Sequence, residues 1–448
     1  MKKQNHKHHQ LLKQVEEIEF SRRSLLRSGV SLTAYGSLGS ILGGAFAAAQ
    51  TSYPPKRKLV WINLSGGWDV LEATDPKPAS TSGIDMVYSW GQAHELSGSS
   101  DGTKIGRWLP KIAALGSDVL VVRGLAMGTT SHMAGNVYMD TGILSNGGSV
   151  NAASIPAIVA SESTATIPII QLNGGSAPQI DRGLLNPVSV VRASNLDLYR
   201  SMYPDEEDLE RKTAVLDYLK NSITSLESSV GGSDRLASLK AAEDKVRSQF
   251  SGNVGAKLSL STEESTAFFE GAPENLIGGD AFALALKLIN NDIVTAVNLG
   301  LGGFDTHQNQ TTRLQPLMGS VDFLVAQLVA GLKKSDQLDK TLIVLYSDFG
   351  RTPKVNRSNG RDHWPTGGAI LIGGGIDGGR SVGATDSNLQ AAELIDPSTG
   401  LQTSDTATGV QLNPTHVGGA VVELCLGSGY SQYRPYLPAL ACMTRVRS

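Results

Sequence analysis

Two apolar runs, TAVNLGL (295 to 301) and TLIVLY (341 to 346), each break off into a short polar string carrying an aspartate, GGFDTH (302 to 307) and SDFGRTP (347 to 353). Between them lies LQPLMGSVDFLVAQLVAGLKK (314 to 334), an apolar helical stretch. Strand, helix, strand at this spacing implies a right-handed crossover and parallel pairing. Both aspartates then leave the sheet at its carboxyl edge, where open α/β folds bind ligands. A third string, GRDHWP (360 to 365), follows at once.

The rest of the chain repeats the pattern. KLVWINLSGGWDVL (58 to 71) reads as a buried strand that breaks at Ser65, Gly66 and Gly67 and delivers Asp69 to the same edge. LPKIAALGSDVLVVRGLAM (109 to 127) gives a short helix and a strand, and a helix follows that opens at Thr129, Thr130 or Ser131, all competent caps. TIPIIQLNG (166 to 174) is a further strand, and DAFALALKLINN (280 to 291) a further helix. The expected fold is α/β, a mostly parallel sheet sandwiched by helices. From about 190 to 290 a helical hairpin is expected as an insertion, one helix seamed by Leu209, Leu216 and Ile223, the next by Leu236, Leu239, Val246 and Phe250.

With 448 residues, 40% of them hydrophobic, the chain can bury a large core. Its net charge of -3 conceals a basic leader: residues 1 to 50 hold seven Lys/Arg and three Glu, or +4, which leaves the remainder at -3 - 4 = -7. An acidic body with no basic stripe argues against nucleic acid as a partner. In the leader, Ser21, Arg22, Arg23, Ser24, Leu25, Leu26 and Arg27 form a twin-arginine pattern, followed by a weakly apolar stretch and a small-residue site at Ala47 to Ala49. Residues 1–49 are therefore expected to be a signal peptide read by the twin-arginine translocase, and 50–448 a single periplasmic or secreted domain. His6, His8 and His9 belong to that leader. No later segment reaches the roughly 18 uninterrupted apolar residues of a spanning helix. Cys425 and Cys442 are the two cysteines, and a disulfide and two buried thiols stand as equal readings.

Asp69, Asp305, His307, Asp348 and His363 come from separate loops that the strand order brings to one edge. Clustered carboxylates repel unless a cation sits between them, so a divalent metal is expected, with Zn, Mn, Mg and Ca all open. Each residue taken singly could instead be a cap or a hydrogen-bonded core group. Arg351 could clamp a bound oxyanion, or form a structural salt bridge. Ser131, beside His132 at a helix N-terminus, is a candidate nucleophile, with Thr130 its rival and plain capping the alternative.

The ordered set of twin-arginine leader, GGWD, SH, GGFDTH, SDFGRTP, GRDHWP and GGGIDGGRSVGATD (373 to 386) resembles a bacterial exported family, domain-of-unknown-function family 1501, over about residues 55 to 430. That family is grouped with the alkaline phosphatase and sulfatase superfamily. The resemblance implies that Asp69, Asp305 and Asp348 are metal carboxylates, His307 and His363 imidazole ligands, and Ser131 or Thr130 the nucleophile. Two departures stand out. Superfamily enzymes show Asp-x-x-x-His where this chain has Asp305-Thr306-His307 with Asn309 at the fourth position, and Asp-His where it has Asp348-Phe349. One imidazole is then missing or comes from elsewhere, from His363 or His416. Two functions follow as expectations: a metal-dependent hydrolase acting on small anionic phosphate or sulfate esters, or a non-catalytic exported binding or assembly protein that keeps the fold.

Overall fold

Strand β1 (Lys58–Asn63) lies near the middle of an eight-stranded sheet because its KLVWIN sequence is apolar on both faces. Leu59 and Trp61 point into one core cluster, Val60 and Ile62 into the other, as the period of two requires. The structure is a computed structural model that describes residues 57–78, 84–85, 90–145, 150–161, 163–174, 190–192, 254–387, 391–427, 429–430 and 435–447, with positions 217 and 221. The leader and nearly all of the expected helical hairpin, including Leu209, Leu216, Ile223, Leu236, Leu239, Val246 and Phe250, lie outside the described residues.

The other sheet strands are β2 (Val119–Ala126), β3 (Ile167–Leu172), β4 (Val190–Arg192), β5 (Val294–Gly300), β6 (Thr341–Tyr346), β7 (Thr366–Gly373) and β8 (Arg380–Val382). Their order is β8-β2-β7-β6-β1-β5-β3-β4. Every pairing is parallel except those of β7, which runs antiparallel to both β2 and β6. The carboxyl ends of β1, β2, β5 and β6 therefore share an edge with the start of β7. The loops carrying Asp69, Ser131, His132, Asp305, His307, Asp348 and His363 all open from that edge.

Helices cover both faces. On one lie α1 (Pro110–Ala114), α4 (Gly279–Asn290) and α5 (Gln310–Lys334), which bury Ile112, Phe282, Leu288, Val321 and Leu328. On the other lie α3 (Ile155–Ala160) and α6 (Pro414–Leu426), which bury Ile158, Val159, Val417 and Val421, while α2 (His132–Thr141) contributes Met139. By length and hydropathy α5 could cross a membrane, but 61% of its most apolar stretch is buried inside the protein, the signature of a core helix. Cys425 and Cys442 are buried free thiols, and burial pushes Cys425 up to about 12.

Candidate metal centre

The site is assembled around Asp348, two residues beyond the end of β6 and fully buried. Its Oδ1 accepts from the backbone N–H of Gly67 at 2.6 Å and of Gly66 at 3.1 Å, and from the Ser347 hydroxyl at 2.9 Å. Gly66 must be glycine. Its φ is +116°, and a Cβ there would stand 2.4 Å from the backbone nitrogen of Asp305. The SGG break after β1 thus turns two amides onto one carboxylate and packs against the loop of another.

The second oxygen of Asp348 accepts from Nδ1 of His132 at 2.5 Å. His132 is the first residue of α2, whose cap, Ser131, is exposed and makes no side-chain capping hydrogen bond. Two further imidazoles are held in the same way. Nδ1 of His307 donates to Asp362 Oδ1 at 2.9 Å, and Nδ1 of His363 donates to the Thr130 carbonyl at 2.8 Å. Carboxylates and carbonyls only accept, so each neutral ring carries its proton on Nδ1 and a bare lone pair on Nε2.

All three Nε2 atoms turn toward the Asp305 carboxylate. His307 Nε2 is 3.1 Å and His363 Nε2 3.4 Å from Oδ1, and His132 Nε2 is 3.8 Å from Oδ2. The Nε2 atoms of His307 and His363 stand only 2.9 Å apart. Donor atoms of His132, Asp305 and His363 lie within 4.8 Å of one another. Lone pairs gathered this closely against a carboxylate repel unless a cation lies among them, and outer-shell oxygens fixing each Nδ1–H are the usual support of metal-ligating histidines. The residues present therefore fit a divalent cation, which His132, Asp305 and His363 would hold together with the adjacent His307.

Electrostatics agree. The Asp348 hydrogen bond raises the His132 pKa against the opposing effect of burial, and the charges of Asp348 and Asp305 add to it. The same negative field favours a cation at Nε2. Burial resists ionisation of Asp305, yet its Arg351 hydrogen bond and the Arg351 charge bring its pKa below the ordinary value. Hydrogen bonds from His307 and Asn356 hold Asp362 low as well. Phe349 stacks on both His132 and His363, with ring centroids 4.7 and 4.5 Å away, and so fixes the two rings from behind.

Four sequence expectations need correction. Asp348 does not join the ligands: its Oδ1 is taken by the amides of Gly66 and Gly67 and its Oδ2 by Nδ1 of His132, so it orients an imidazole instead. Asp69 is not brought to the cluster: it is buried, its Oδ2 accepting from the Gln310 amide and lying 3.0 Å from Arg361 Nε. The two positive-φ glycines redirect the chain before Asp69 is reached. Arg351 does not face a ligand. It is wholly buried, and its nitrogens donate to the carbonyls of Gly66, Gly67 and Arg361 and, at 2.5 Å, to Asp305 Oδ1. Pairing of Gly350–Arg351 with His363–Trp364 draws it inward, so it positions Asp305 and cannot clamp an anion. His416 supplies no ligand either, since its Nδ1 accepts from the Asn413 N–H in a capping box on α6. The additional imidazole is that of His132, which sequence reading had beside the nucleophile. Asp362 was missed; its adjacency to His363 in GRDHWP was the available signal.

Behind Asp69 lies Glu72, 2% exposed, which burial and the charge of Asp69 push up to about 7 against the opposing Arg107 and Arg361. The folded state thus holds this proton more tightly than the unfolded chain. The contribution is fully present below about pH 4.5 and is lost as pH rises to about 7, a change on the order of 3 kcal/mol. Glu72→Gln should flatten this slope and leave the variant more stable than the wild type at pH 8. Urea midpoints measured from pH 5 to 8 check it; parallel curves for the two proteins would refute the assignment.

A family model described as a protein of unknown function, DUF1501, matches residues 56–412. No curated protein sequence matches the chain. Among solved structures, Ps i-CgsB in complex with k-i-k-neocarrahexaose is similar with a TM-score of 0.39 and 11% identity, over 86% of this chain and 75% of that one. Alkaline phosphatase from the Antarctic bacterium TAB5 gives 0.31 and 15%, over 71% and 90%. The PsFucS1 sulfatase from Pseudoalteromonas sp. gives 0.30 and 13%, over 80% and 69%.

Proposed function

The chain belongs to the DUF1501 family of proteins of unknown function, and on that premise we propose that it is an exported, metal-dependent hydrolase of phosphate or sulfate esters. The observation that supports this reading most is the convergence of three Nε2 lone pairs on the Asp305 carboxylate, each Nδ1–H being tied to an oxygen. An imidazole-rich donor set suits Zn or Mn better than Mg or Ca. A divalent cation held there would polarise the ester and stabilise charge on its oxygens.

The chain's own residues supply the remaining parts. Asp348, Asp362 and the Thr130 carbonyl orient the imidazoles, and buried Arg351 orients Asp305. Ser131 offers a hydroxyl at the N-terminus of a ten-residue helix, where the helix dipole favours an oxyanion. It is the proposed nucleophile, with Thr130 as rival. Hydrolysis of aryl phosphate and aryl sulfate esters by the metal-loaded protein tests this. Ser131→Ala should remove a covalent intermediate that mass spectrometry maps to Ser131 in the wild type; a modification on Thr130 moves the role by one residue, and full activity in the Thr130, Ser131 double alanine variant refutes it. The withdrawal of Asp69 and Arg351 from the cluster favours the second reading, a non-catalytic exported binding protein, and absence of turnover on both ester classes would select it.

Export rests on Arg22 and Arg23 with the small-residue site at Ala47 to Ala49. Replacing both arginines by lysine should strand uncleaved precursor in the cytoplasm, whereas normal processing of that variant would contradict the twin-arginine route.

A further inference from the structure

An ester hydrolase gains from a side-chain cation that can reach its anionic substrate, and the arginines of SDFGRTP and GRDHWP cannot. Arg351 and Arg361 are both buried. Arg361 donates to the carbonyls of Thr352, Pro353 and Asp85 and pairs with Asp69. A third guanidinium reaches the loop that carries Asp305. Arg313, in the first turn of α5, is exposed, and its Nη1 donates to the backbone carbonyl of Asp305 at 3.1 Å. Asn309, with φ of 47°, turns the chain at the start of α5 so that Arg313 reaches back across eight residues to the metal-site loop. No other hydrogen bond of that guanidinium is formed among the described residues, and the rest of its donor fork is open to solvent.

We propose that Arg313 is the residue that grips the anionic head of the substrate, a phosphate or sulfate ester, beside the metal centre. This rests on the hydrolase reading above and moves to Arg313 the role that sequence had given to Arg351. A planar fork held at one nitrogen can offer its remaining N–H groups to two oxygens of a tetrahedral anion, which an ammonium cannot match. Loss of one positive charge also penalises a dianion more than a monoanion, because the Coulomb energy scales with charge.

The test is calorimetric binding, at pH 8 to the metal-loaded full chain, of phenylphosphonate and benzenesulfonate, analogues of the phosphate and sulfate esters that have no ester bond to cleave, with metal content read on the same samples. Arg313→Ala should keep its metal, weaken both ligands roughly ten- to a hundredfold, and weaken the phosphonate more than the sulfonate. Arg313→Lys should recover part of the loss. Arg357→Ala, which removes an exposed arginine from the neighbouring loop, should bind like the wild type. Unchanged binding by Arg313→Ala overturns the proposal while the hydrolase reading stands. A metal-loaded wild type that binds neither ligand overturns both the proposal and the substrate class. A wild type that takes up no metal removes the hydrolase reading, and the proposal with it.

Discussion

Asp348→Ala is expected to lose metal binding altogether and to destabilise the fold by about 3–5 kcal/mol, the usual result of removing one partner from a buried charged network. The substitution strands the amide of Gly66 and the Nδ1–H of His132 and leaves the Gly67 amide only its 3.0 Å hydrogen bond to the Ser347 hydroxyl. Asp348→Asn separates the two effects. Its carbonyl oxygen can keep the three donors that Oδ1 accepts, but its NH2 then faces Nδ1 of His132, donor against donor. The ring must move its proton to Nε2 and close its lone pair. This variant should stay folded and still fail to load metal, as thermal unfolding with and without added Zn will show. A ligand that binds only the native state raises the melting temperature, so a rise in the wild type that is absent from Asp348→Asn is the expected pattern. An equal rise in both would contradict the role given to Asp348.

The second large effect is expected at Gly135, in α2. Alanine normally stabilises a helix interior by about 1 kcal/mol over glycine. Here a Cβ would stand 2.1 Å from the backbone carbonyl oxygen of Asp348 and 2.9 Å from its carbon. Backbone cannot rotate away, so the helix start must shift and carry His132 with it. Gly135→Ala should therefore destabilise by about 1–3 kcal/mol despite its helix propensity, and weaken metal affinity at least about tenfold through displaced orientation of the ligand. Urea unfolding and metal titration check the two halves. A variant more stable than the wild type would show that α2 does not press on the Asp348 loop.

Most of the architecture was legible because burial on both faces writes itself as continuous apolar runs. TLIVLY and LVWINL appear as β6 and β1, with ends within a residue of those read. Strand β7 is not legible in sequence: its TGGAILIG has two glycines directly after Thr366, and a Cβ on Gly368 would meet the Thr74 hydroxyl at 2.3 Å. Those glycines serve packing, whereas in sequence they read as a break. Parallel order also brought Asp305, His307, Asp348 and His363 to one edge correctly.

What sequence could not supply was direction. Asp69 and Asp348 look alike as aspartates after strands, but Asp348 lies two residues from its strand end and Asp69 six, beyond two glycines at positive φ. Clamp and structural salt bridge are equally open for Arg351 in sequence, and only the short pairing with His363–Trp364 shows it sealed inside and paired with Asp305. His132 reads in sequence as the neighbour of a nucleophile, whereas the fold turns its Nε2 toward the Asp305 carboxylate.

The central claim is that His132, His307, His363 and Asp305 hold one divalent transition metal, and elemental analysis of the full chain purified without chelators tests it most directly. The expected result is one Zn or Mn per wild-type chain and none in Asp348→Asn; a metal-free wild type, or equal metal in the two proteins, would contradict it.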